Sequence, residues 1–198
     1  MKIGILTYHY SDNYGAVLQT YSLSKFLENN GHEVEVINLI PDLNLKRRVR
    51  KYFKDVLTKN FEIFRKGHLN IVPEKPFVFK QIGNIDFSIY DAIIVGSDQV
   101  WRKSYTEGLG YSYFLDFVPD SVKRIAYAAS FGLDYYEGNE VDIQTVKKEL
   151  QKFDLITNRE QTGVEICKEI FKVESHCVID PVLLADENTF SFIDSKGS

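Results

Sequence analysis

The chain has 198 residues, 44% hydrophobic and 26% charged, which is typical of a folded globular domain and argues against a disordered chain. Its formal net charge of −4 argues against a nucleic-acid-binding protein, which usually needs a basic domain to neutralise phosphates. Two cysteines are too few for a disulfide scaffold or a zinc knuckle, and the histidines lack metal-ligand spacing. We therefore expect no bound metal and a reducing, cytoplasmic environment.

The N-terminal residues and the hydropathy of the chain give no sign of a targeting or membrane-spanning segment. MKIGILTY turns polar at Tyr8, too early for the core of a signal peptide. No stretch approaches the roughly 20 apolar residues that a transmembrane helix needs. We expect a protein of the cytoplasm, or one held at the inner face of the membrane.

The first forty residues predict a strand, a loop, a helix and a second strand. Residues 2–7 cluster strand-forming side chains, residues 14–30 have apolar side chains at helical spacing, and residues 32–39 alternate. Two strands joined by a helix favour parallel pairing with a right-handed crossover. This opening predicts an α/β fold with a Rossmann-like, doubly wound and mainly parallel sheet.

The alternation of strands and helices continues to the end of the chain. Strands are predicted at 90–95, 124–129, 155–158 and 177–179, and helices at 141–153 and 161–171. Pro73 and Pro76 are interpreted as marking a connection. Without repeats or a linker, residues 1–193 are predicted to form one domain, and 194–198 a chain terminus or a remnant of cloning.

One predicted helix, residues 45–66, begins with a basic segment. Six lysines and arginines lie between positions 46 and 54, from Lys46 to Lys54. Such a run is more often a solvated helix face, but it would also attract a lipid-diphosphate acceptor or a membrane surface. Both interpretations stay open.

Ligands of an open parallel sheet bind beyond the carboxyl ends of its strands, so the loops there are the places to search. In the first loop, Asp12 or Asn13 can cap the following helix, and Tyr14 and Gly15 begin it. Gly15 lets the backbone approach a ligand at the positive helix end. The loop lacks the GxGxxG fingerprint of a dinucleotide site, and a capped helix start without a ligand is the alternative.

The loop after the most apolar strand has the residue types that suit a carbohydrate. Gly96, Ser97, Asp98, Gln99 and Trp101 combine a hydroxyl, a carboxylate and an amide with an indole. Sugar hydroxyls need polar partners, and the C–H face of a sugar ring stacks on aromatic rings. The alternative is that Asp98 caps a short helix and Trp101 fills the core.

Two later loops add further candidates. Ser130 and Phe131 follow a strand in a run of small residues that permits close approach of a ligand, although packing explains the run almost as well. Arg159 and Glu160 follow the next strand. The guanidinium could hold a carboxylate or phosphate, or could simply pair with the glutamate.

Taken in order, these segments resemble the polysaccharide pyruvyl transferase family. The resemblance covers nearly the whole chain and rests on DNYGAVLQTYSLSKFLENNGHEVEVIN, IIVGSDQVW, YFLDFVP, RIAYAASFG, NREQTG and VIDPVLLAD. It implies a GT-B-like enzyme of two facing Rossmann-like domains. This chain is similar to the N-terminal, acceptor-side domain, and the resemblance implies that a C-terminal, donor-binding domain would be absent from it.

The resemblance also implies an activity and roles for the candidate residues. Pyruvate would pass from phosphoenolpyruvate, the donor substrate, as a ketal onto a sugar of a cell-surface glycan or its lipid-linked precursor, with no further cofactor. Asp98 would be an acidic catalytic or acceptor-binding residue and Arg159 would face the donor, while the general acid would lie outside this chain. Thr157 stands where the family often has a serine, which keeps a hydroxyl but leaves the geometry of the loop open.

Two other functions are compatible with the same residues. The chain could be a non-catalytic domain that binds carbohydrate or docks a partner. It could also be a GT-B-like glycosyltransferase domain that uses a nucleotide-sugar, since fold does not fix function.

Overall fold

A computed structural model describes residues 1–42, 59–106, 108–186 and 189–190. Within these ranges seven strands form one sheet in the order β3-β2-β1-β4-β5-β6-β7, and every neighbouring pair is parallel. This confirms the predicted α/β, Rossmann-like arrangement, with the reversal of strand order at β1 and β4. The pairing with a second domain stays a prediction. The strands are β1 (Lys2–Leu6), β2 (Glu33–Ile40), β3 (Ile71–Val78), β4 (Ala92–Val95), β5 (Lys123–Ala129), β6 (Leu155–Asn158) and β7 (His176–Cys177).

The helices follow the strands much as the apolar spacing predicts. Asn13 caps the first helix, since its side chain accepts a hydrogen bond from Ala16 N at 2.7 Å. The basic segment 46–54 and the tail 194–198 lie outside the described residues. The helices of the described ranges are α1 (Tyr14–Asn29), α2 (Lys59–His68), α3 (Glu140–Leu150) and α4 (Gln161–Ile166), the last continued by a π-helical turn, Cys167–Phe171.

The interpretation of Pro73 and Pro76 as part of a connection is wrong, because both lie inside β3. Among the described strands, β3 pairs only with β2 and forms an edge of the sheet, where a residue without an N–H is tolerated. The register shifts at Asn38 of β2. The Asn38 amide donates to the carbonyls of Pro73 and Glu74 at 2.9 and 3.3 Å and bridges the irregularity.

The core interpretation of Trp101, not the sugar-stacking one, agrees with the structure. The indole is 1% exposed, donates from Nε1 to the carbonyl of Tyr113 at 2.9 Å, and stacks on Phe114 with ring centroids 5.6 Å apart. Phe131 is equally buried and stacks on Phe171. Both predicted ligand contacts are therefore rings of the hydrophobic core, away from the surface.

In the described part of the chain, the helices are all too short or too polar to cross a membrane.

We expect Trp101→Ala to lower the free energy of unfolding by about 3–5 kcal/mol, because it removes a fully buried ring and leaves a cavity. Trp101→Phe keeps most of the packing and should cost less. Chemical unfolding followed by circular dichroism measures both changes. Tyr135→Ala is the control, since that ring is 57% exposed. A loss below about 1 kcal/mol for Trp101→Ala would contradict a structural role.

Candidate active-site cleft

A cleft of about 640 Å³ opens at the carboxyl ends of the strands. It lies where an open parallel sheet is expected to bind ligands, and its walls come from the loops after β1, β4, β6 and β7 and from the start of α1. The lining residues are Tyr8, Tyr10, Ser11, Asn13, Gly15, Ala16, Gln19, Asp98, Gln99, Tyr105, Arg159, Asp180 and Val182.

The backbone N–H and the backbone carbonyl of Ser97 lie buried beneath this cleft, and both are hydrogen-bonded. Its N–H donates to Gln19 Oε1 at 3.1 Å, and its carbonyl accepts from Thr7 Oγ1 at 3.0 Å. Gln19 Nε2 in turn donates to Thr7 Oγ1 at 2.9 Å. Ser97 was predicted to touch substrate, but it has no exposed surface and holds the turn after β4 instead.

The backbone at position 96 requires a glycine. Its φ is +111°, and a Cβ at this position would lie 2.2 Å from the carbonyl oxygen of Tyr127. Only glycine fits between β4 and β5 here. The peptide between Gly96 and Ser97 is cis. The sequence-based assignment of Gly96 to substrate binding is thus replaced by a role in shaping the turn.

Asp98 projects from this turn with its backbone in the left-handed region, at φ +82°. Its carbonyl accepts from Val100 N at 2.8 Å and from Ser130 N at 3.0 Å, and these bonds hold a conformation that costs an L residue on the order of 1–2 kcal/mol. Oδ1 accepts from Gln99 N at 2.7 Å. Among the described residues Oδ2 has no hydrogen-bond partner, so one carboxylate oxygen in the cleft remains available to a ligand.

Arg159 lies in the same cleft between two carboxylates. Its Nη1 donates to Asp180 Oδ2 at 3.3 Å, and its Nε lies 3.6 Å from Glu160 Oε2. The side chain is 32% exposed, so solvent weakens both ion pairs. Two residues that the sequence singled out separately, Asp98 and Arg159, are thus brought to one cleft.

Asp180 is a residue of this cleft that the sequence analysis missed. Its Oδ2 accepts from Ser97 Oγ at 3.0 Å as well as from Arg159. Its Oδ1 accepts from Val182 N at 3.0 Å and begins the short 3₁₀ helix Pro181–Leu184. A signal was present, because an acidic residue before proline in VIDPVLL follows the last predicted strand.

Three tyrosines supply the aromatic surface that had been assigned to Trp101. Tyr8 and Tyr10 meet edge to face, with ring centroids 6.0 Å apart, and Tyr105 lies 53% exposed at the rim. Burial first, and the nearby Asp98 to a lesser extent, raise the pKa of Tyr10 to about 12. The Tyr10 phenol therefore keeps its proton at neutral pH and can donate to a ligand.

The remaining predicted residues divide between the cleft and its surroundings. Asn13, Gly15 and Gln99 line the cleft. Ser130 and Glu160 bond to each other and line an adjoining recess of about 370 Å³ that shares Gln99 and Arg159 with the cleft.

Two predicted residues point elsewhere. Asp12 pairs with Arg65 at 3.0 Å in a neighbouring depression of about 530 Å³. Tyr14 is exposed and packs edge-on against Phe61. Within the described ranges, no three His, Cys, Asp or Glu side chains gather in a way that could hold a metal ion.

Comparison with known proteins gives one partial and one nearly complete match. A uracil-DNA glycosylase of Mycoplasmopsis pulmonis (strain UAB CTIP) is 32% identical over 80 residues, 40% of this chain. The match spans 36% of that relative, about a third of its length. No solved structure is significantly similar to the chain. The sequence model of the polysaccharide pyruvyl transferase family matches residues 13–197. This chain belongs to the polysaccharide pyruvyl transferase family.

Proposed function

We propose that the chain forms the acceptor side of an enzyme that transfers pyruvate from phosphoenolpyruvate as a ketal onto a sugar. The acceptor is a cell-surface glycan or its lipid-linked precursor. The observation that carries this proposal is the meeting of Asp98, Arg159 and three tyrosines in one cleft of a chain that belongs to a pyruvyl transferase family. A carboxylate, a guanidinium and aromatic rings suit a sugar that reacts beside an anion.

The reaction defines what the residues must do. Protonation of the methylene carbon of phosphoenolpyruvate gives an oxocarbenium-like centre, and one sugar hydroxyl attacks it and loses its proton. Phosphate then leaves, and a second hydroxyl closes the ring of the ketal. This series of reaction steps needs a general acid, a general base and a cationic partner for the carboxylate or phosphate of the donor.

Asp98 is proposed to act on the acceptor. Its Oδ2 is available in the cleft, while Oδ1 is fixed by Gln99 N at 2.7 Å, so the carboxylate has a defined orientation. A carboxylate in hydrogen-bond reach of a sugar hydroxyl can orient it and accept its proton as the new bond forms. Asn13 and Gln99 line the same cleft and provide amide groups for neighbouring hydroxyls.

Arg159 is proposed to bind the carboxylate or phosphate of the donor. A guanidinium has five N–H donors and binds such groups in a two-pronged manner. The contacts with Glu160 and Asp180 use Nε and Nη1. Nη2 takes part in neither of these two contacts. The general acid is proposed to come from outside this chain.

The acceptor sugar is proposed to stack on tyrosine rings. Tyr10 and Tyr105 line the cleft, and the C–H face of a sugar ring packs well on such surfaces while the phenol hydroxyls donate to its oxygens. A lipid-linked acceptor would bring a diphosphate near the chain, and the basic segment 46–54 is a candidate partner for it and for the membrane surface.

The partial match to a uracil-DNA glycosylase suggests that activity as a second candidate. The formal net charge of −4 and the carboxylates of Asp98 and Asp180 in the cleft oppose the binding of a polyanion. We therefore favour pyruvyl transfer, and the two activities are readily separated by assay.

The direct test uses the protein expressed from the whole open reading frame and measures the release of phosphate from phosphoenolpyruvate. The acceptors are lipid- and aryl-linked galactose, mannose and N-acetylmannosamine. We expect acceptor-dependent release and a product that gains a pyruvyl ketal by mass spectrometry. Silence across the panel with retained sugar binding would favour a non-catalytic domain. Turnover of a nucleotide-sugar would favour a glycosyltransferase, and release of uracil from an oligonucleotide would favour the second candidate.

We expect Asp98→Asn to lower kcat by roughly 10²-fold or more, the usual range for loss of a general base. Asparagine tolerates the left-handed backbone of this position and can still accept from Gln99 N, so the fold should persist. Asp120→Asn is the control, because that carboxylate pairs with Arg124 and is 92% exposed. Unchanged turnover in Asp98→Asn, with normal thermal unfolding, would remove this residue from the mechanism.

The aromatic rim generates a separate prediction. Tyr105→Ala should raise the KM for the acceptor about tenfold, the order of one stacking contact, and leave the KM for phosphoenolpyruvate unchanged. Tyr135→Ala is the matched control, since that ring is similarly exposed at 57% and is not among the residues that line the cleft. Equal acceptor KM values in the two variants would show that Tyr105 does not contact the sugar.

A further inference from the structure

We propose that Asp180 is the positioning residue that orients the Arg159 guanidinium relative to Asp98. This inference rests on the proposed function for its kinetic consequences, but its geometric content can be tested without turnover. Asp180 lies in the loop after β7, and its side chain is 24% exposed. It lines the cleft without being one of the residues assigned to either substrate.

The carboxylate of Asp180 contacts three loops, those that follow β4, β6 and β7. Its Oδ2 accepts from Ser97 Oγ in the loop after β4 at 3.0 Å and from Arg159 Nη1 in the loop after β6 at 3.3 Å. Its Oδ1 accepts from Val182 N at 3.0 Å within its own loop. A contact to each of the three loops fixes the carboxylate in place, so that it can fix the guanidinium in turn.

The contacts around Arg159 form a closed circuit that includes Asp98. Ser130 N donates to the Asp98 carbonyl at 3.0 Å, and Ser130 Oγ donates to Glu160. The other oxygen of Glu160 lies 3.6 Å from Arg159 Nε. Arg159 then donates a hydrogen bond to Asp180, and Asp180 accepts one from Ser97, which directly precedes Asp98 in the chain. The two proposed catalytic side chains are thus held in a common frame.

Asp180 makes the contact that sets the direction of the guanidinium in this circuit. Glu160 contacts Nε, close to the aliphatic stem, whereas Asp180 contacts Nη1 at the end of the group. Without the distal contact the guanidinium can rotate about the last bonds of the side chain. A displacement of about 1 Å at a reacting group can cost on the order of 10²-fold in rate.

The variant Asp180→Asn separates orientation from folding. An asparagine Oδ1 can still accept from Val182 N and begin the 3₁₀ turn. Its amide nitrogen replaces Oδ2 and cannot accept from Arg159 or Ser97. We expect kcat/KM for phosphoenolpyruvate to fall by roughly 10- to 100-fold, while thermal unfolding stays near that of the Asp120→Asn control.

A double-mutant cycle decides whether the effect passes through Arg159. In an Arg159→Ala background, Asp180→Asn should change kcat/KM by less than about twofold, because the group that it orients is gone. An equal loss in both backgrounds would overturn the proposal, since Asp180 would then act independently of Arg159.

A chemical readout keeps the test independent of catalysis. Phenylglyoxal modifies accessible guanidinium groups, and mass spectrometry of the peptide that contains Arg159 gives its rate. We expect modification of Arg159 to be more than about twofold faster in Asp180→Asn than in the parent or in Asp120→Asn, because the ion pair is lost. An unchanged rate would overturn the proposal. If the parent protein transfers no pyruvate to any acceptor, the proposed function fails, and the modification rate still decides the role of Asp180.

Discussion

The hydrogen bonds to the backbone N–H and carbonyl of Ser97 place the walls of the cleft relative to one another. Both its N–H and its carbonyl are buried, and leaving either unpaired would cost about 1–3 kcal/mol. Gln19 of α1 and Thr7 after β1 satisfy them. The start of α1 therefore cannot shift along β4 without breaking a buried bond, which fixes the distance between the first turn of that helix and Asp98.

The charges around the cleft are unequal and suit one kind of ligand. Four carboxylates, those of Asp98, Asp134, Glu160 and Asp180, line the cleft and its adjoining recess, and Arg159 supplies the one guanidinium among the described lining residues. This excess of negative charge is compatible with a neutral polyhydroxylated acceptor and unfavourable for phosphoenolpyruvate on its own. It therefore supports the proposal that further cations for the donor come from outside the described residues, as an enzyme with two facing domains would provide.

The sequence predicted the sheet well and the site in part, for physical reasons that differ. Buried parallel strands such as β4 leave continuous apolar runs, and the residues that follow them, including Asp98 and Arg159, could be located by topology alone. β3 was missed because its two prolines are acceptable only on an edge, and edge position depends on the order of all the strands.

Which polar residues converge is a property of the folded chain. Gln19 looks like any surface amide of a helix, yet its position opposite Ser97 makes it a buried anchor. Asp180 is far from Ser97 in sequence, and although its place before Pro181 and after the last strand marks it as a candidate helix cap, that place does not reveal its contact with Ser97. Trp101 lies two residues beyond Gln99, but the turn of the chain sends the amide to the cleft and the indole to the core.

That position of Trp101 gives the protein a built-in optical probe. It is the sole tryptophan of the chain, shielded from water, and its backbone N–H donates to the Ser130 carbonyl at 3.1 Å, beside the loops that hold Asp98 and Arg159. Its fluorescence therefore comes from a single apolar environment directly behind the cleft. A ligand that moves those loops would change this emission, so the proposed binding of a sugar or phosphoenolpyruvate can be tested in the unlabelled protein, without any chemical turnover.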